Sequence, residues 1–234
     1  MTANRLYLCA PVNAIVEGIY EEHIPFSEIK RHGNFGLGTF DQLDGEMVML
    51  DGRVYQMTAD GCVREVGDDA LTPFAAVTFY QPERYLELDA EMSYDELLRR
   101  LQEPLPSPNI FYAFRLDGEF AHMKVRSVPK SECYIPLVEI AKEQPVFEFS
   151  DIRGTLAGFY TPEFMASVSV PGMHLHFLSD DLAHGGHLLS CRPRRVRVGI
   201  QPIHTVELAL PTTPYYLGWD FRRDVTSDLE KAEK

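Results

Sequence analysis

No stretch of the chain approaches the roughly 20 consecutive apolar residues needed to span a bilayer. The N-terminal run MTANRLYLCAPVNAIVEG is broken by Pro11, Asn13 and Glu17, so the continuous apolar region of a signal peptide is missing as well. Cysteine is scarce: Cys9, Cys62, Cys133 and Cys191 lie far apart and form no CxxC pair, which fits buried thiols in a reducing compartment. These absences point to a cytoplasmic protein without a membrane partner.

Positive charge is also in short supply. Lys and Arg number 22 against 35 Asp and Glu, a net charge of -13, whereas phosphate binding needs clustered cations. The basic stretch from Arg192 to Arg197 alternates with Val196 and Val198 and reads as a strand with one solvated face. A nucleic-acid partner is therefore not expected.

What is present is ordinary globular material. With 45% hydrophobic and 24% charged residues, the 234-residue chain can bury a sizeable core, as one domain or two closely packed ones. The apolar spacing of Val12, Ile15, Val16 and Ile19 predicts an amphipathic helix over 12–22. Asp-Gly pairs at 44–45 and 51–52 divide 38–57 into a meander of short antiparallel strands. Residues 74–80 read as a strand. A helix starts at Ser93, with Glu96 completing a capping box, and stops before Pro104, Pro106 and Pro108.

A second Leu-Asp-Gly-Glu at 116–119 separates two strand-like runs within 109–128, echoing the first at 43–46. A helix is expected over 135–144, closed by Pro145, and strands then follow to about 210. The class is α+β: mixed, mainly antiparallel sheets or a partly closed barrel, with a few short helices in two closely packed lobes. The division falls near 129–136, giving lobes 1–130 and 131–234, without a polar linker between them.

The most informative segment is PGMHLHFLSDDLAHGGHLLSC. On a strand, His174 and His176 project from the same face, and the polar, glycine-containing stretch after them lets the chain reverse and set His187 opposite His176. An HxH pair alone is as often strand decoration as a ligand pair; the third histidine after Gly-Gly tips the balance. Three imidazoles with open positions suit a catalytic Zn²⁺ or related divalent ion better than a closed structural site. His184 and the acids Asp180 and Asp181 are rival ligands, read here as turn residues.

This segment resembles the metal motif of the α-acetolactate decarboxylase family, with its HLHF, acidic turn and GGH. The similarity extends through HGNFGLGTFDQLDGEMVMLDGRVYQM at 32–57, SPNIFYAFRLDGEF at 107–120, KVRSV at 124–128 and RGTLAGFYTPEF at 153–164. The resemblance implies a carboxy-lyase that converts 2-acetolactate to acetoin and carbon dioxide through a metal-stabilised enediolate. It implies metal ligands at His174, His176 and His187, a strand-turn glutamate at Glu46, an essential arginine at Arg126, and a homodimer; exposed strands in the N-terminal lobe are the expected contact. A C-terminal glutamate reaching into the site falls on Glu233, with Glu230 as rival. The chain departs from the family in carrying Leu182 where an Arg commonly follows the acidic turn residues.

In the chemistry so implied, Arg126 would bind the substrate carboxylate through its planar fork, Glu233 would protonate the enediolate, and Glu46 would serve as a metal-side carboxylate or base; the two glutamate roles are interchangeable. Two other readings compete. A cupin-like hydrolase or dioxygenase also uses HxH, but usually with a Glu shortly afterwards and a much later His, whereas Phe177 and Leu178 follow here. A non-enzymatic metal-binding homologue is the other.

Overall fold

The structure, a computed structural model, describes residues 4–21, 23–131 and 133–233, without the side chains of residues 226, 230, 231 and 233. Seven strands form the first sheet: β1 (Arg5–Leu8), β3 (Phe35–Thr39), β4 (Glu46–Leu50), β5 (Arg53–Met57), β6 (Val63–Val66), β8 (Ala75–Thr78) and β14 (Thr205–Leu208), in the order β14-β1-β8-β3-β4-β5-β6. The β1–β14 pair is parallel and the other pairs are antiparallel. A small ladder joins β2 (Ile24–Pro25) to β7 (Leu71–Thr72).

The second sheet contains β9 (Arg84–Leu88), β10 (Phe111–Arg126), β11 (Val146–Thr161), β12 (Gly172–Ser179) and β13 (Gly185–Ile203). Because β10 pairs with both β11 and β13, this sheet curls back on itself as a partly closed barrel rather than a true one. The helices are short: α1 (Val12–Val16), α2 (Phe26–Ile29), α3 (Tyr94–Gln102), α4 (Leu137–Ile140), α5 (Pro214–Gly218) and α6 (Thr226–Glu233). The α+β reading with mixed sheets holds. In the sheets, β9 and β10 precede residue 130 and belong to the second sheet, and β14 follows it and belongs to the first.

Two local expectations change. The helix predicted over 12–22 ends at Val16, because Ile19 N–H donates to Ala14 O (2.7 Å) and Gly18 N–H to Ile15 O (3.0 Å), the paired bonds of a Schellman cap. Gly18 takes the left-handed φ of +82° that this cap requires. The second change concerns 116–119. Instead of turning there, β10 runs unbroken for 16 residues, and Gly118 lies in register between Gly154 and Val196. Pairing on both edges outweighs the local turn preference of Asp-Gly. At 51–52 the same dipeptide does form the β4–β5 turn. The capped helix appears as α3, with Glu96 N–H donating to Ser93 Oγ.

Alternation along each strand sorts the core into layers. On β4, Val48 joins the cluster between the sheets, with Leu37, Ala157 and Phe159, while Met47 and Met49 pack on the outer side with Phe26 and Ile29 of α2. On β12, Leu178 faces the space between the sheets, whereas Leu175 and Phe177 join Leu97 and Leu101 of α3 in the other layer. A one-residue slip of β12 would exchange Phe177 for histidine, forfeiting about 1.5–3 kcal/mol for that side chain alone. Packing therefore sets the register that aims His174 and His176.

Candidate metal centre and active site

The strand periods bring the histidines to one point. His174, His176 and Leu178 share one face of β12, and His187 on β13 stands directly opposite His176 in the ladder. The turn between the strands occupies 180–184, and the paired glycines already lie in the returning strand. Gly186 is required there: with φ +146°, a Cβ on it would come within 2.5 Å of the Arg126 carbonyl oxygen. That close approach lets β10 and β13 pair with Arg126 opposite His187.

All three imidazoles are buried, and their candidate ligand atoms lie within 4.8 Å of one another. His174 Nε2 is 3.2 Å from both His176 Nε2 and His187 Nδ1. Two ligands held about 2.0–2.1 Å from one tetrahedral ion stand roughly 3.3 Å apart, so the spacing fits a shared divalent cation. The protonation states fit as well. Burial, and secondarily the Arg126 charge, pushes His174 down to about 3. His176 is held well below its usual range by burial, by His174 and by Arg126, against the opposing hydrogen bond to the Met47 carbonyl. Neutral imidazoles are what a metal needs.

That hydrogen bond, from His176 Nδ1 to Met47 O at 2.9 Å, also selects the tautomer. A carbonyl can only accept, so Nδ1 carries the proton and Nε2 presents its lone pair to the centre. Among the described residues this trio is the one group of three side chains able to hold a metal. His184 is not part of it; its ring packs on Phe149 with centroids 4.4 Å apart. Asp181 accepts from Ser179 Oγ, and Asp180 faces Arg153, both as turn residues.

Glu46 and Arg126 stand beside the histidines. Glu46 begins β4, on the strand face shared with Val48, and places Oε2 3.5 Å from His176 Nε2 and Oε1 3.5 Å from Arg126 Nη1. Both side chains are buried. Arg126 ends β10, and its Nη1 donates to Gln144 Oε1 at 2.8 Å. The remaining predicted residue, Glu233, ends α6; its side chain, like that of Glu230, lies outside the described residues. The helix itself packs Leu229 and Ala232 into the cluster that contains Val12, Ile15, Leu137 and Val170.

These four apolar residues, with Phe74 and Leu43, line the rest of a cavity whose empty volume, counted out to solvent, is about 480 Å³. Thr39 also faces it, and its Oγ1 donates to Gly45 O at 2.7 Å, tying the end of β3 to the loop that delivers Glu46. Thr39, Gln144 and the Met47 carbonyl escaped the sequence reading. A lone threonine, a lone glutamine and a backbone oxygen carry no spacing signal.

Comparison with known proteins agrees with this architecture. The family profile for alpha-acetolactate decarboxylase matches residues 6–223. A protein of that name from Methanosarcina mazei is 39% identical over 230 residues, covering 98% of this chain and 80% of the relative, and one from Brevibacillus brevis is 37% identical over 231 residues, covering 98% and 81%. The crystal structure of alpha-acetolactate decarboxylase from Bacillus subtilis strain 168 superposes with a TM-score of 0.95 at 33% identity, covering 98% of this chain and 99% of that one. With its fold and nearly its whole length matched, the chain belongs to the alpha-acetolactate decarboxylase family.

Proposed function

We propose that this protein decarboxylates 2-acetolactate to acetoin and carbon dioxide in a divalent-metal-dependent reaction, with Zn²⁺ the ion that best suits three imidazoles. The observation that carries the proposal is the juxtaposition, in one cavity, of three buried histidines with a buried arginine and a buried carboxylate. His174, His176 and His187 would hold the cation, which would supply Lewis acidity as negative charge develops on the substrate.

Arg126 binds the substrate carboxylate and orients the bond to be broken across the plane of the neighbouring ketone. Because Arg126 is buried, its attraction for a carboxylate is little screened by water. As that carbon–carbon bond breaks, its electron pair passes into the enediolate of acetoin, which must gain a proton on the carbon that lost carbon dioxide. Glu233 is assigned as the donor of that proton and Glu46 as the carboxylate that holds or receives one beside the metal ligands, roles the two could exchange. The apolar wall of Val12, Ile15, Phe74 and Val170 keeps water from competing and matches the two methyl groups of the substrate.

The protein is further proposed to act in the cytoplasm as a homodimer, in which strands of the N-terminal lobe, 1–130, make the contact and the C-terminal lobe, 131–234, carries the metal. The deciding experiment measures acetoin release from racemic 2-acetolactate by protein of assayed metal content, before and after chelation and Zn²⁺ restoration. Metal-dependent release well above the spontaneous rate supports the reading. Oxygen uptake or hydrolysis in its place would favour the cupin-like alternative, and a fully metallated, folded but inert protein would favour a binding role.

A further inference from the structure

We infer that Gln144 positions the Arg126 guanidinium for the substrate carboxylate, an inference that rests on the decarboxylase reading above. Arg126 ends β10 and Val146 opposite it begins β11, so the segment that crosses between the strands passes beside the arginine. Ser127 N–H donates to Pro145 O at 3.3 Å, and Ser127 Oγ donates to Met57 O at 2.6 Å, pinning the backbone on both sides of this crossing. From there the Gln144 side chain reaches back to accept from Nη1 at 2.8 Å. The nearest Glu46 oxygen approaches the same nitrogen only to 3.5 Å, well beyond the roughly 2.7–2.9 Å of a strong charge-assisted bond.

The chemistry of the side chain matters as much as its distance. An arginine side chain has many rotamers, and a binding fork is most useful when that freedom has already been removed. A carboxylate at position 144 would hold the guanidinium but would also compete with the substrate for its charge. A glutamine amide oxygen orients Nη1 without adding a negative charge. Gln144 also follows directly on α4 and the single 3₁₀ turn Ala141–Glu143, and Leu137 of α4 lines the cavity. Thus the segment that covers one side of the cavity is the segment that aligns its arginine.

The test uses the full, Zn²⁺-loaded chain and the variant Gln144→Met, which keeps the side-chain length and removes the acceptor. Two ligands that cannot lose carbon dioxide separate the contributions: 2-hydroxyisobutyrate, which has a carboxylate, and acetoin, which has none. The expected result is a 2-hydroxyisobutyrate Kd and an acetolactate KM weakened on the order of ten-fold, as for loss of a hydrogen bond to a charged group. The affinity for acetoin stays as in the parent, and kcat falls less than KM rises. In an Arg126→Ala background the same change should alter 2-hydroxyisobutyrate affinity by less than about two-fold, because Gln144 acts through the arginine.

Unchanged hydroxy-acid affinity in Gln144→Met, equal weakening of acetoin, or an undiminished effect in the Arg126→Ala background would each overturn the inference. Failure of the decarboxylase reading looks different: the parent protein would bind 2-hydroxyisobutyrate in a Gln144-dependent way yet release no acetoin. A parent protein that does neither overturns both.

Discussion

His176 on the second sheet donates Nδ1–H to the Met47 carbonyl on the first, across 2.9 Å and 129 residues of sequence. One sheet thus sets the tautomer of an imidazole carried by the other, so the metal centre depends on how the two sheets dock. Several measurable consequences follow from this arrangement and its neighbours.

Substituting the ligand and substituting the arginine should separate metal binding from turnover. His176→Ala is expected to lose metal and activity together. Arg126→Ala should keep a full complement of metal, measured by atomic absorption, while kcat/KM falls by about two orders of magnitude or more through lost alignment. Normal kcat and KM in Arg126→Ala would remove that residue from the mechanism.

Gly186→Ala tests the close approach of β10 and β13. The added methyl meets the Arg126 carbonyl at 2.5 Å and the Val125 side chain at 3.1 Å, and the backbone holds φ +146°. A destabilisation of roughly 2–4 kcal/mol by urea unfolding is expected, together with reduced metal content, because Arg126 and His187 are cross-strand partners. A variant of parental stability and metal content would mean that the strands part at no cost.

Stability of the metal-free protein should fall on acidification. An unfolded histidine binds its proton near pH 6.5, whereas folded His174 resists until about 3 and His176 is also held low. Between those values the unfolded chain carries more protons, so each imidazole lowers stability by up to about 1.4 kcal/mol per unit of falling pH. Urea midpoints of metal-free protein from pH 8 to 4 should therefore drop more steeply than those of a His174→Ala/His176→Ala double variant. Parallel curves would rule out buried neutral imidazoles.

The roles assigned to the glutamates separate by product handedness. If Glu233 delivers the proton, Glu233→Gln should retain metal, slow turnover by about 10²-fold or more, and yield acetoin of eroded enantiomeric purity on chiral chromatography. Glu46→Gln should slow turnover while leaving handedness intact. The reverse pattern would exchange the roles, and unchanged rate and handedness in Glu233→Gln would release the tail from the chemistry.

Much of this molecule is legible in short stretches of sequence, for a physical reason: side-chain direction along a strand repeats every second residue whatever the rest of the chain does. His174 and His176 therefore had to share a face, and the polar stretch after them allowed His187 to return opposite His176, as it does. Asp51-Gly52 turned as its dipeptide prefers, and Ser93 capped α3. Glu46 and Arg126 came only from the family resemblance, since a turn acid and a strand arginine look like many others.

Tertiary structure decided the rest. Asp117-Gly118 has the same local preference as Asp51-Gly52 but runs straight, because β11 and β13 pair with it on both edges. The helix from Val12 stops early at a backbone cap around Gly18. Only sheet docking brings Glu46 to His176 and Met47 O to its Nδ1, and only the β10–β11 pairing brings Gln144 to Arg126, for such meetings depend on pairings between distant segments that no local period records. The sequence alone determined which faces its histidines share; the packing of one sheet on the other determined what those histidines meet.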